Sequence, residues 1–235
     1  MALKLWHCAG SRSIRPLWTL EEMGLDFELE VMKFPPRFEH AGYTDINPIG
    51  TVPFFTDGAD GSDNQVQMTE SAGISQYLVD RYGSAGSGLS NSGLSNSGLS
   101  NLAIGVDEPD YGNYLNWLHR SDATLTFPQT LVLRYTILEP EATRLPKVAE
   151  DYSKWFHSRL RTVEAAMAER EFLCGDRFTI ADIAVGFALY FAEFLKLSDG
   201  FKPNTLAYYE RLKARPGFQR ATQYDSPSAL PKVDG

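Results

Sequence analysis

The feature that most narrows the fold is the run Asn47-Pro48-Ile49-Gly50-Thr51-Val52-Pro53-Phe54-Phe55, together with the Glu70-Ser71 pair that follows it. A short apolar run opening on Val52-Pro53 reads as a strand whose first residues cannot donate a full ladder of hydrogen bonds, because proline has no N–H. The backbone of Val52 is left to pair with something outside the sheet. Glu70-Ser71 stands just before Ala72-Gly73-Ile74-Ser75-Gln76-Tyr77-Leu78, whose apolar residues fall at helical spacing. A carboxylate, a hydroxyl and unpaired N–H groups at a helix start suit a ligand that carries both an ammonium and a carboxylate.

Around these points the sequence predicts a strand at 3–5, a helix over 13–23 closed by Gly24, and a second strand at 27–31. That order is a parallel crossover unit. Residues 53–56 and 65–68 flank Asp57-Gly58, with Asp60-Gly61 in the same loop, which predicts an antiparallel hairpin. A helix over 72–81 closes this part. From Tyr111 onward the pattern is helical: Tyr114, Trp117, Leu118, Ser121 and Leu125 fall three and four apart. A second amphipathic series covers 145–167, an apolar helix 180–197, and a last helix 205–215, stopped at Pro216-Gly217. Between the halves, Gly-Leu-Ser-Asn-Ser occurs at 88–92 and 93–97 and Gly-Leu-Ser-Asn at 98–101. The period is too short for a solenoid, and the composition is that of a flexible linker. The expected division is an α/β domain over 1–83, a linker over 84–105 and an all-helical domain over 106–235.

Composition removes several classes of function. A net charge of −8 argues against broad nucleic-acid binding, which needs clustered Lys and Arg. Cys8 and Cys174 are far apart, and with four scattered histidines they make neither a disulfide framework nor a metal site. The N-terminus lacks the charged-then-apolar pattern of a signal peptide. The apolar stretch 180–197 carries Asp182, Glu193 and Lys196, so a buried helix is expected rather than a membrane span. A cytoplasmic protein is the expectation.

The chemistry concentrates in His7-Cys8-Ala9-Gly10-Ser11-Arg12-Ser13-Ile14-Arg15. A serine hydroxyl there lies beside the N–H groups that open the first helix, where an anion is stabilised. A thiol bound at that point loses its proton more readily, since an O–H donated to sulfur favours thiolate over thiol. One unit of thiol pKa is ~1.4 kcal/mol, so a hydroxyl and a helix terminus together can shift it by about a unit or two. Cys8 is expected to end the strand as an inert buried thiol, and His7 to pack.

The stretch Ser11-Arg12-Ser13-Ile14-Arg15-Pro16-Leu17-Trp18-Thr19-Leu20-Glu21-Glu22, Val52-Pro53, Glu70-Ser71 and the later Thr179-Ile180-Ala181-Asp182 resemble the glutathione transferases. The resemblance covers essentially the whole chain except the linker. It implies that family's fold, an α/β thioredoxin-like N-terminal domain plus an all-α C-terminal domain. It also implies a glutathione S-transferase of the detoxification type. A loop serine would activate the glutathione thiolate for attack on an electrophilic, hydrophobic, aromatic compound. Glutathione is the co-substrate, with no metal, nucleic acid or membrane involved.

Aligned on fungal and bacterial members with a Ser-Arg pair, the thiol contact is Ser11. Aligned on bacterial β-aryl-etherase members, which share Ser-x-basic-Pro-Leu, it is Ser13. Ser11 is preferred, and helix capping is the expected task of the other. The resemblance further implies backbone pairing of the cysteinyl part with Val52, a cis Pro53, and γ-glutamyl contacts at Glu70 and Ser71. It implies a contact at Thr51, where many relatives carry Lys or Gln, and a cation for the glycyl carboxylate from His40 or Arg37. The acceptor site is expected on the helix beginning near Tyr111, with Tyr111, Tyr114 and Ser121 facing the cleft and Trp117 and Leu118 in the core. Thr179 with Asp182 forms a capping box, which makes Asp182 structural. Conjugation, β-aryl ether cleavage and dehalogenation stay open as reactions, as does a non-catalytic interaction module. A homodimer is implied, with Phe54-Phe55 and Tyr77 near its seam or, equally, in the core.

Overall fold

The computed structural model describes residues 2–59, 61–62, 65–83 and 102–225. Residues 84–101, and with them the Gly-Leu-Ser-Asn-Ser repeats of the expected linker, lie outside the described residues. The described chain forms two compact units, one of residues up to 105 together with those from 216, the other of 106–215.

In the first unit β1 (Leu3–Cys8), α1 (Ile14–Met23) and β2 (Glu28–Met32) make the parallel crossover. Short α2 (Pro36–Glu39) and α3 (Tyr43–Ile46) lead to the hairpin of β3 (Phe54–Asp57) and β4 (Val66–Met68), and α4 (Ser71–Tyr82) follows. The sheet order is β2-β1-β3-β4, with only the β1–β2 pair parallel, which is the expected thioredoxin-like arrangement. β1 runs longer than the expected strand because Trp6, His7 and Cys8 go on pairing with Glu30, Val31 and Met32.

Strand alternation gives the sheet two faces. Leu5 and Phe55 pair across the strands and are fully buried on the α4 face, where Phe55 meets Tyr77 with ring centres 6.1 Å apart. Trp6, Cys8, Met32 and Phe54 cluster with Tyr43 of α3 on the other face. Burying one large apolar side chain is worth about 1.5–3 kcal/mol, so a one-residue slip of register would forfeit both clusters. The hydroxyls of Tyr77 and Tyr82 donate to the Asp57 carboxylate, the first at 2.7 Å, and fix α4 to the end of β3. Phe54, Phe55 and Tyr77, expected near a dimer seam, are therefore engaged inside this unit, the two phenylalanines as core.

The first unit also contains α10 (Pro216–Thr222), which the expected stop at Pro216-Gly217 did not foresee. Proline at a first helical position loses nothing by lacking an N–H, so here it opens a helix. Residues 216–225 thus depart from the expected helical domain of 106–235. Phe218 meets Trp18 edge-on at 4.9 Å, and Arg220 donates to the Glu21 carboxylate at 2.6 Å and to its carbonyl at 2.7 Å. A Cβ on Gly217 would come within 2.6 Å of the Glu22 side chain, so α10 approaches α1 closely here and a larger residue would push that side chain aside.

The second unit is helical: α5 (Tyr111–Arg120), α6 (Phe127–Leu133), α7 (Pro146–Met167), α8 (Ile180–Phe194) and α9 (Pro203–Lys213). α5 continues into a π-helical stretch, Ser121–Thr126. Pro128 accounts for it: proline cannot donate to the carbonyl four residues back and crowds it, so the helix widens and the Phe127 N–H reaches the Asp122 carbonyl. α8 opens with the expected capping box. The Ala181 N–H donates to the Thr179 hydroxyl at 3.3 Å, and the Thr179 N–H to Asp182 Oδ2 at 2.8 Å. Asp182 Oδ1 accepts from the Leu173 N–H at 2.9 Å and the Tyr208 hydroxyl at 2.8 Å. One buried carboxylate thereby ties the preceding loop and α9 to α8.

Candidate active site

The loop from β1 to α1 closes on itself. Ser11 N–H donates to the Cys8 carbonyl at 3.2 Å, Ile14 N–H to Ser11 at 3.1 Å and Arg15 N–H to Arg12 at 3.1 Å. Ser13 N–H donates to Ser11 Oγ at 3.3 Å. N–H groups expected to be open to an anion are thus used within a tight turn. The loop still presents the hydroxyl of Ser11, which is half-buried.

Ser13 is fully buried and stands at the N-cap of α1 without capping it. Its Oγ lies 2.6 Å from Ser11 Oγ and 2.7 Å from Nδ1 of His7. The other ring nitrogen of His7 lies 3.2 Å from Asp225 Oδ1, and Asp225 Oδ2 accepts from the Gly10 N–H at 3.0 Å. The His7 and Asp225 side chains are 0% and 1% exposed. Instead of a packed imidazole and a helix cap, these residues form one hydrogen-bonded chain. Sequence reasoning missed its inner half, His7 and Asp225. Alternation puts His7 on the buried face with Leu3 and Leu5, where an imidazole needs polar partners. No spacing pattern could reach Asp225, which follows α10. Cys8 is buried in the aromatic cluster of the other face, and burial pushes its thiol up to about 12, so it holds almost no thiolate at neutral pH.

The second part of the site lies before β3. The Val52–Pro53 bond is cis, as the resemblance implies. The Thr51 carbonyl accepts from the Tyr43 hydroxyl at 2.7 Å and from Asn47 Nδ2 at 2.8 Å. Gly50 closes the turn onto the Asn47 carbonyl at 2.8 Å with a φ of 67°, and a Cβ there would stand 3.0 Å from that of Arg37. Residue 51 is thus held by its carbonyl from α3, while the backbone of Val52 has no partner among the described residues.

At the start of α4, Glu70 is exposed, and the N–H groups of Ser71, Ala72 and Gly73 have no partner among the described residues. Ser71 is buried, and its hydroxyl accepts from Arg15 Nη1 at 3.0 Å. One turn further along, Thr19 Oγ1 donates to Ser75 Oγ at 2.9 Å. These two rungs lock α1 to α4 and hold the serine loop in fixed register with Glu70. His40 accepts the Lys33 N–H at 3.1 Å and borders a cavity of about 580 Å³ over Trp6, Tyr43 and Phe54, on the sheet face away from Ser13. The Arg37 guanidinium lies 4.7 Å from the ring centre of Phe38.

In the second unit Trp117 and Leu118 are core, as expected. Tyr114 and Ser121 are buried too, and Tyr111 is half-buried with its ring centre 6.4 Å from that of Tyr114. Ser121 donates to the Leu118 carbonyl at 2.6 Å, so its proton serves the helix. Among the described residues no group of three or more His, Cys, Asp or Glu is placed to hold a metal ion, and no helix is long and apolar enough to cross a membrane.

Two family models match the chain: glutathione S-transferase, N-terminal domain, over residues 1–80, and glutathione S-transferase, C-terminal domain, over residues 153–211. The chain is 28% identical over 224 residues to glutathione S-transferase GstA of Escherichia coli O157:H7, covering 93% of this chain and 96% of that one. It is 26% identical over 228 residues to glutathione S-transferase sirG of Leptosphaeria maculans, covering 94% and 88%. A solved glutathione transferase from Methylococcus capsulatus superposes with a TM-score of 0.75 at 27% identity, over 95% of this chain and 98% of that one. The architecture, a thioredoxin-like unit followed by a helical one, is that of the glutathione transferases. The chain belongs to the glutathione S-transferase family.

Proposed function

We propose that this glutathione transferase ionises the glutathione thiol at Ser11 and directs the thiolate at an electrophilic, hydrophobic, aromatic compound. The difference between the two loop serines carries this reading. Their hydroxyls are 2.6 Å apart, yet Ser13 is fully buried and bonded inward to His7, while Ser11 is half-buried. Ser11 therefore meets the sulfur and Ser13 supports it. Val52 pairs its free backbone with the cysteinyl part, as an added strand does. Glu70 supplies the counter-charge for the γ-glutamyl ammonium, and the unpaired N–H groups of residues 71–73 receive its carboxylate. Thr51 and His40 border the glycyl end.

Ure2p5 from Phanerochaete chrysosporium, of similar fold with a TM-score of 0.76 at 20% identity, was cocrystallized with 1-(S-glutathionyl)-2,4-dinitrobenzene. That compound is what thiolate attack on an electron-poor ring produces, and conjugation is the reaction favoured here. A reducing, cytoplasmic setting fits two buried free cysteines. Calorimetry tests the binding site. Glutathione should bind in the micromolar-to-millimolar range, and Glu70→Ala should weaken it by about tenfold, ~1.4 kcal/mol, as the ammonium loses its partner. Unchanged affinity would remove Glu70 from the site.

A further inference from the structure

We infer that Ser11, Ser13, His7 and Asp225 form a proton relay that carries the proton of the glutathione thiol into the protein, with Asp225 as its charge anchor. The inference rests on the reading of Ser11 as the residue that meets the sulfur.

The direction of each hydrogen bond follows from the partners. A carboxylate can only accept, so the Nε2 of His7 carries the ring hydrogen and donates it to Asp225 Oδ1, 3.2 Å away. Nδ1 then holds a lone pair, and Ser13, at 2.7 Å, donates to it. Ser11, at 2.6 Å from Ser13, donates to Ser13 in turn. The Ser11 oxygen is left with a lone pair to receive an S–H.

Transfer moves one hydrogen along each link. The S–H bond breaks and its hydrogen joins Ser11, the hydrogen of Ser11 passes to Ser13, and that of Ser13 passes to Nδ1. Glutathione becomes a thiolate and His7 an imidazolium, with no change in total charge and no external acceptor. The three bonds outward from Nδ1 have then reversed: imidazolium donates to Ser13, Ser13 to Ser11, and Ser11 to the thiolate, while Nε2 still donates to Asp225. The same two hydroxyls accept from the thiol and afterwards stabilise its anion.

A buried imidazolium on its own would be unfavourable. Asp225 offsets this, since its second oxygen is held by the Gly10 N–H at 3.0 Å and the carboxylate is fixed toward the ring. Helix α10 delivers it, clamped to α1 through Arg220 and Glu21. Among the described residues the partners of the His7 ring are Ser13 and Asp225. Other charged groups on the neighbouring elements include Arg12 of the serine loop, Arg15, Glu21 and Lys4. Arg15 is bonded to Ser71, Glu21 to Arg220, and Lys4, on the opposite sheet face, to Glu28 and Glu30. Cys8, the next residue of β1, belongs to that opposite face as well. His7 and Asp225 act through the serines and are positioning residues for Ser11.

The test is titration of enzyme-bound glutathione, followed by the ultraviolet absorbance of its thiolate, in wild type, Asp225→Asn, Asp225→Glu and Ser13→Ala. Circular dichroism checks folding and calorimetry checks affinity. The relay predicts a largely ionised thiol at neutral pH in the wild type, and a midpoint higher by about one pH unit in Asp225→Asn and Ser13→Ala. Glutathione affinity should stay unchanged, kcat should fall about tenfold with KM steady, and Asp225→Glu should lie nearer the wild type. Ser13→Ala leaves the Asp225–Gly10 contact in place, so a shift in Asp225→Asn alone would make Asp225 a mere loop anchor and overturn the relay. Equal midpoints in wild type and both variants would also overturn it, leaving the glutathione reading intact. A wild type that gives no thiolate signal with glutathione would overturn that reading and the relay with it.

Discussion

Asp182 carries more of the helical unit than any sequence position suggests, accepting from Leu173, Thr179 and Tyr208 while fully buried. Removing it strands several buried donors, each worth about 1–3 kcal/mol, so Asp182→Ala should lower unfolding stability by about 3 kcal/mol or more. Denaturant unfolding reads this directly, and a loss below about 1 kcal/mol would show that the network is dispensable. Desolvation raises the Asp182 pKa from 3.8 to about 6, against the opposing pull of its hydrogen bonds. The folded state therefore holds this proton more tightly than the unfolded chain. Its contribution to stability is complete below pH 3.8 and is lost as the pH rises through about 6. Thr179 and Asp182 were legible in the sequence because the box they form spans one helical turn. Ser11 is preferred to Ser13 in the sequence on family alignment alone, since both sit in the same loop and both match family patterns; their difference in burial, a property of the folded chain, is not readable there. His7 and Asp225 lay beyond any local reading, because their contact joins the first strand to the residues after the last helix.

The same division between local and distant causes holds for whole elements. β1, α1, β2 and the hairpin were readable because alternation, helical spacing and Asp-Gly turns act over a few residues. The extension of β1 to Cys8 depends on β2 lying alongside, and α10 depends on the face of α1 around Trp18 and Glu22. The proline at 216 gave a misleading signal: it stops the helix before it and starts the helix after it. At Pro128 the helix passes through a proline by widening to π geometry rather than ending. At the start of α1 the backbone turns inward on Cys8, Ser11 and Arg12, which uses up N–H groups that the sequence leaves open to an anion.

At the scale of the whole molecule, the first unit contains the serine loop, Val52-Pro53 and Glu70, and it is completed by residues from the far end of the chain. Pairing of two chains is the assembly that the family resemblance implies. Phe54 and Phe55 are taken by the core, but Phe38 and Ile49, 74% and 61% exposed, leave apolar surface between β2 and β3 for a second copy to bury. Sedimentation at micromolar protein should then show a species of twice 26.2 kDa, and a species of 26.2 kDa alone would rule the dimer out. The central claim is that Ser11 ionises bound glutathione for transfer. The rate of glutathione conjugation to an activated halodinitrobenzene, compared between wild type and Ser11→Ala with glutathione affinity measured alongside, tests it most directly. The wild type should form the conjugate, and Ser11→Ala should lose about a hundredfold in kcat while binding glutathione within about twofold of the wild type. A wild type that binds glutathione but forms no conjugate, or a Ser11→Ala variant with undiminished turnover, would contradict it.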